Sequence, residues 1–135
     1  MPFSPRHIPT LFIAIAFIIG GVLPFFNAPR AITEYGLPYL AHDPAAQVVM
    51  QVYGGRVVVM GAVLLMLHRQ GMYCATDILL GFIGLTGPLD GWICWNEGTK
   101  AWALFRASFG LALSAWGFLG MTNGNEVMES LSKLD

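Results

Sequence analysis

The chain has 135 residues, 56% of them hydrophobic and 11% charged, and a formal net charge of −1. Ordinary soluble domains carry about 25% charged residues. With a mean hydropathy of +0.61, a soluble fold would lack the polar surface to cover itself, so the composition points to an all-α integral membrane domain. No basic run occurs, which excludes nucleic acid as a partner, because phosphate binding draws on clustered Lys and Arg.

A single domain over residues 1–135 is expected, with four spans. The first, about 9–27, is uncharged and close to the ~20 residues that cross a bilayer as a helix. Pro24 is expected to kink or end it. Its apolar core is too long for a signal peptide, and Phe26-Asn27-Ala28 makes a poor cleavage site, so it reads as a retained helix. A long polar loop follows from Asn27 to Pro44, with Pro29, Gly36, Pro38 and Pro44 as breakers. It carries Arg30, Glu34, Tyr35, His42 and Asp43, and its length suits a cap folded over the mouth of the bundle.

The second span, about 45–67, is expected to be interrupted at Tyr53-Gly54-Gly55-Arg56. His68-Arg69-Gln70-Gly71 makes a short turn, so the third span, about 72–95, is its antiparallel neighbour. That span holds Asp77, Gly84, Gly87, Pro88 and Asp90. After the turn Asn96-Glu97-Gly98-Thr99 comes the fourth span, about 100–120, with Arg106 inside it. The tail, 121–135, is polar, with an amphipathic end at Val127, Met128, Leu131 and Leu134. The expected architecture is a four-helix bundle. Arg6, Arg69 and Lys133 on the terminal side against Arg30 and Lys100 on the other favour cytoplasmic termini.

Cys74 and Cys94 lack paired spacing and read as small hydrophobes. His7, His42 and His68 are scattered, so no metal or cofactor is expected. There is no phosphate loop, Gly-x-Ser-x-Gly or heptad pattern. Chemistry therefore falls to Arg56, Asp77, Asp90 and Arg106, since an intramembrane charge costs roughly 2.5–3.5 kcal/mol on insertion scales and implies compensation or function.

At ~1.5 Å rise per residue, Arg56 lies near the midplane. Asp90 and Arg106 lie toward the non-cytoplasmic side, and Asp77 toward the opposite one. Tyr53 precedes Arg56 by one turn and is expected to join it. The candidate catalytic set is thus Asp90, Arg56, Arg106 and Tyr53. The plainer reading of the same charges is structural ion pairing in a non-catalytic membrane subunit or scaffold. Gly84, Gly87 and Pro88 fit either close helix packing or a loosened backbone along a polar cavity.

Gly54-Gly55-Arg56-Val57-Val58-Val59-Met60-Gly61, Gly87-Pro88-Leu89-Asp90 and Tyr35-Gly36-Leu37-Pro38 together resemble the DoxX-like small four-helix membrane proteins. More narrowly, they resemble a fungal branch of unknown function found beside natural-product genes. Many relatives carry an acid directly after the arginine where this chain has Val57. The resemblance implies a four-helix bundle and, by analogy with small membrane enzymes of such gene clusters, epoxide opening or cyclisation of a lipophilic polyketide or terpenoid in the endoplasmic reticulum membrane. In that reading Asp90 is the base, and Arg56 or Arg106 with Tyr53 stabilises the oxyanion. The expected partners are the membrane, a lipophilic substrate, and a second copy or other pathway enzymes.

Overall fold

Proline, asparagine and glycine divide the chain into five α-helices: α1 (Ile8–Phe26), α2 (Ala28–Tyr35), α3 (Pro44–Arg69), α4 (Tyr73–Glu97) and α5 (Lys100–Phe118). The computed structural model describes residues 4–124 and Leu134, and among them the fold is all-α. The amphipathic end expected at Val127, Met128 and Leu131 lies outside the described residues. Three helices are long and apolar enough to cross a membrane: α1 with its preceding 3-10 turn (Pro5–Phe26), α3 and α4. A multi-pass membrane protein is the class that fits. The fourth expected span, α5, has 19 residues and carries Lys100 and Arg106 among its apolar positions.

The stretch expected to be a loop contains a helix. Asn27 accepts the backbone N–H of Arg30 at 3.2 Å, Pro29 stands in the first turn, and Gly36 closes α2 in the left-handed conformation at φ 111°. Arg30 and Glu34 pair across one turn at 2.8 Å. The residues that read as breakers are thus the start and stop signals of a short helix. A 3-10 turn at Pro38–Leu40 follows, and Asp43 caps α3 by accepting from Ala45 N–H at 2.8 Å.

α3 runs without the expected interruption. Gly54 serves close packing rather than a break: a Cβ there would strike the Gly21 carbonyl of α1, and one at Gly61 would lie 2.8 Å from the Ala14 carbonyl. Pro24 and Pro88 likewise sit inside continuous helices. Their missing N–H groups leave carbonyls one turn back to be satisfied by neighbours.

Because lipid tails are as apolar as leucine, helices in a bilayer associate through close packing rather than through hydrophobic exclusion. Here α1 packs antiparallel on α3 through the glycine contacts above, and α4 packs antiparallel on α5. Gly84 and Gly87 face Gly110, and Ser114 Oγ donates to the Gly81 carbonyl at 2.6 Å. The two pairs meet at a buried cluster of Ile13, Ala14, Leu64, Leu80, Ile83 and Leu113. At the terminal end, the Thr10 and Thr122 hydroxyls bond at 2.9 Å, and His7 Nδ1 meets His68 Nε2 at 2.6 Å.

A Cβ at Gly84 would fall 2.6 Å from Ser114 Oγ and against the α5 backbone, whereas one at Gly20 would meet nothing within 4 Å. Gly84→Ala should therefore destabilise the protein by about 1–3 kcal/mol, and Gly20→Ala should be neutral or stabilise it by up to about 1 kcal/mol. Thermal unfolding in detergent reads both, and equal effects would contradict the packing described.

Candidate functional site

The α4–α5 seam sets the site. Gly87 lies against the Arg106 carbonyl and 2.7 Å, measured from an ideal Cβ, from Gly110 Cα. Asp90 comes one turn after Gly87 on α4, and Arg106 one turn before Gly110 on α5, so the close approach brings both side chains to the same cavity. The cavity holds about 410 Å³ and is lined by residues of four helices. Phe12 and Ala16 come from α1, Tyr53 from α3, Gly87 and Asp90 from α4, and Trp102, Arg106 and Phe109 from α5. Phe12, Trp102, Phe105 and Phe109 are exposed at its margin, so it opens between α1 and α5 onto the apolar outer surface.

A second hollow of about 460 Å³ shares Ala16, Phe17, Tyr53, Trp102 and Arg106 with the first, and adds Glu34 and Tyr35 of α2. Helix α2 therefore roofs the polar end of the cavity. Its C-terminal carbonyls, the negative end of the helix dipole, are held by α5. Arg106 Nε donates to the Tyr35 carbonyl at 3.1 Å, and Nη2 donates to that of Glu34 at 3.5 Å. The guanidinium also lies 4.2 Å over the Tyr35 ring. Cys94 Sγ donates to the same Tyr35 carbonyl at 3.4 Å, and Thr99 N–H to Gly36 at 3.1 Å, which ties the roof to the α4–α5 turn.

The Tyr35 ring meets Tyr53 edge to face at 5.6 Å. Burial, reinforced by the neighbouring Asp90 carboxylate, pushes the Tyr35 phenol well above the ordinary tyrosine range. It stays a neutral hydroxyl through neutral and mildly alkaline pH. Asp90 and Arg106 do not form an ion pair; among the described residues Arg30–Glu34 is the only one. A carboxylate and a guanidinium thus face one cavity with space between them and two phenols at its edge.

Of the sequence candidates, Asp90, Arg106 and Tyr53 come together and Arg56 does not. Two residues along a helix turn the direction by about 200°. With Gly54 pressed on α1, Arg56 therefore points to the opposite, outer side. There it lines a separate groove with Val52, Gly55, Val59, Met60, Val63 and Leu79. Asp77 stays apart from the cluster, as its depth suggests. It is 2% exposed and accepts the backbone N–H groups of Thr122 at 3.1 Å and Asn123 at 2.8 Å, fastening the turn after α5. Tyr35 is outside the candidate catalytic set read from the sequence, where it stands only as a polar residue of the expected loop and at the head of Tyr35-Gly36-Leu37-Pro38.

These features describe a small α-helical protein of the multi-pass membrane class, with a largely apolar cavity that Asp90 and Arg106 both line. Residues 14–120 match the domain of unknown function DUF4267, and the chain belongs to that family. The match contains Tyr35, Tyr53, Asp90 and Arg106. No curated protein and no solved structure matches the chain.

Removing the guanidinium should free the roof. Arg106→Gln should cost about 1.5–3 kcal/mol, the usual value for charge-assisted hydrogen bonds, and should raise amide exchange in α2 more than in α1. Asp77→Asn keeps one acceptor oxygen but sets an NH₂ against a backbone N–H. It should lower the thermal midpoint while leaving α2 exchange unchanged. Uniform exchange changes in both variants would contradict these separate roles.

Proposed function

We propose that the cavity is the active site of a membrane enzyme that opens or cyclises epoxides of lipophilic molecules by acid–base chemistry. One observation carries the reading: an intramembrane carboxylate and guanidinium share an otherwise apolar cavity without being spent on each other. Intramembrane ionisable groups are functional by default, because their desolvation is otherwise uncompensated. The apolar margin formed by Phe12, Trp102, Phe105 and Phe109 supports a substrate that arrives from the lipid.

In hydrolysis, the Asp90 carboxylate takes a proton from water as the water oxygen bonds to one epoxide carbon. The carbon–oxygen bond on that carbon breaks, and the freed oxygen takes the Tyr53 proton, its charge stabilised by Arg106 N–H groups not engaged with α2. The proton held by Asp90 then returns to the Tyr53 oxygen, which restores both groups. In cyclisation a hydroxyl of the substrate replaces water and a cyclic ether results. The apolar surroundings strengthen each electrostatic contact. Tyr35, held neutral beside Asp90, can donate to its carboxylate and so orient it.

The finer parts of the reading extend the membrane fold. α5 serves as a fourth span, giving the four-helix architecture of DoxX-like proteins with cytoplasmic termini. The substrate is a polyketide or terpenoid of a natural-product pathway in the endoplasmic reticulum membrane, and the protein acts as a homo-oligomer or beside other pathway enzymes. A second reading, a non-catalytic scaffold, is favoured by one specific observation: Arg106 already binds two carbonyls of α2.

The two readings separate on Asp90→Asn in protein purified into lipid nanodiscs and assayed with a panel of lipophilic epoxides. The enzyme reading expects about a 10²–10⁴-fold loss of turnover with an unchanged thermal midpoint. Unchanged turnover removes Asp90 from the mechanism. No turnover by the wild type, together with a lower midpoint in the variant, favours the scaffold.

A further inference from the structure

Arg56 is the thirteenth of the 26 residues of α3, a helix long and apolar enough to span a membrane and the least buried of the three that are. Its side chain is exposed, and among the described residues it has neither an ion pair nor a hydrogen-bond partner. Around it the outer face of α3 is orderly. Val49, Val52, Arg56, Val59, Val63 and Met66 recur at alternating spacings of three and four, and all six are exposed. This is the spacing of a two-helix seam, with a polar residue in one layer, as in pairings whose register is fixed by a single buried polar side chain. The sequence conceals the pattern because Val57, Val58, Leu64 and Leu65 make α3 apolar all round. The heptad positions lie within a broader uncovered face, since Val48, Met60 and Ala62 beside them are exposed as well. Leu79 of α4 and Gly55 border a groove of about 480 Å³ beside the arginine.

We propose that this face docks a transmembrane helix of another protein carrying an Asp or Glu near its midpoint. The position of Arg56 decides among occupants. Lipid headgroups lie about 15–20 Å from the midplane, beyond the roughly 6–7 Å over which an arginine side chain snorkels. A second copy related by a two-fold axis along the membrane normal sets Arg56 against Arg56, a like-charge contact in low dielectric. A carboxylate at matching depth on a partner helix neutralises the charge, and the valine layers above and below supply the packing. The face lies opposite Gly54 and away from the cavity, so this docking is independent of the proposed chemistry.

The test uses the full chain in phosphatidylcholine liposomes and fluorescence energy transfer to synthetic transmembrane peptides of leucine and valine with one central Glu, Gln or Lys. The Glu peptide should associate about tenfold more tightly than the Gln peptide, and the Lys peptide more weakly than either. Arg56→Leu, which keeps the face apolar, should abolish the preference, and Arg56→Lys should retain most of it. Equal association of the three peptides would overturn the proposal. So would displacement of the Glu peptide by oleate, which would assign the groove to a lipid carboxylate. Cross-linking of Val52→Cys between two copies, unaffected by the Glu peptide, would assign the face to self-association.

Discussion

The close approach of α4 and α5 is the constraint on which the rest of the molecule depends. In a bilayer, helix association gains little from excluding lipid, so it rests on how near two backbones can come. Gly84, Gly87 and Gly110 remove the side chains that would hold these helices apart. The same contact aligns Asp90 and Arg106, each one turn to the same side of the glycine layer on the antiparallel helices, on one cavity. Stability and the geometry of the charged pair therefore have a common origin. Ser114, bonding to the Gly81 carbonyl, locks the register at the other end of the seam.

Arg106 links this seam to the roof. Its guanidinium lies over the Tyr35 ring and donates to the carbonyl end of α2, so the short helix sits where a positive charge already waits. The arrangement lets a charge inside an apolar bundle be partly solvated by protein dipoles while keeping some of its N–H groups toward the cavity. A ligand that drew on Arg106 would compete with the Tyr35 and Glu34 carbonyls for it. Asp77 shows the contrasting use of a buried charge. Both its oxygens are engaged by backbone N–H groups, and it fastens a turn.

Helix positions were legible because apolar runs of membrane length announce themselves, and the depths of the charges followed from counting residues. What composition could not supply was facing. α3 is apolar on every side, so only the contact between Gly54 and Gly21 determines that Tyr53 turns toward Asp90 while Arg56 turns outward. The roof helix was written in the sequence as Asn27, Pro29 and Gly36, but the same residues also punctuate loops, and the choice depends on docking against α5. Tyr35 owes its place to that docking. The partners of Asp77 are main-chain groups some forty-five residues away, which no local pattern displays.

On the proposed function, a lipophilic molecule occupies the space between Asp90 and Arg106. A hydrophobic epoxide bearing a photoreactive diazirine, irradiated with the protein in lipid nanodiscs and mapped by mass spectrometry, tests this most directly. Labels should concentrate on Phe12, Trp102, Phe105 and Phe109, and an excess of the unmodified epoxide should suppress them. Labels spread evenly over the outer faces of α1, α3 and α4, and insensitive to competitor, would contradict the account.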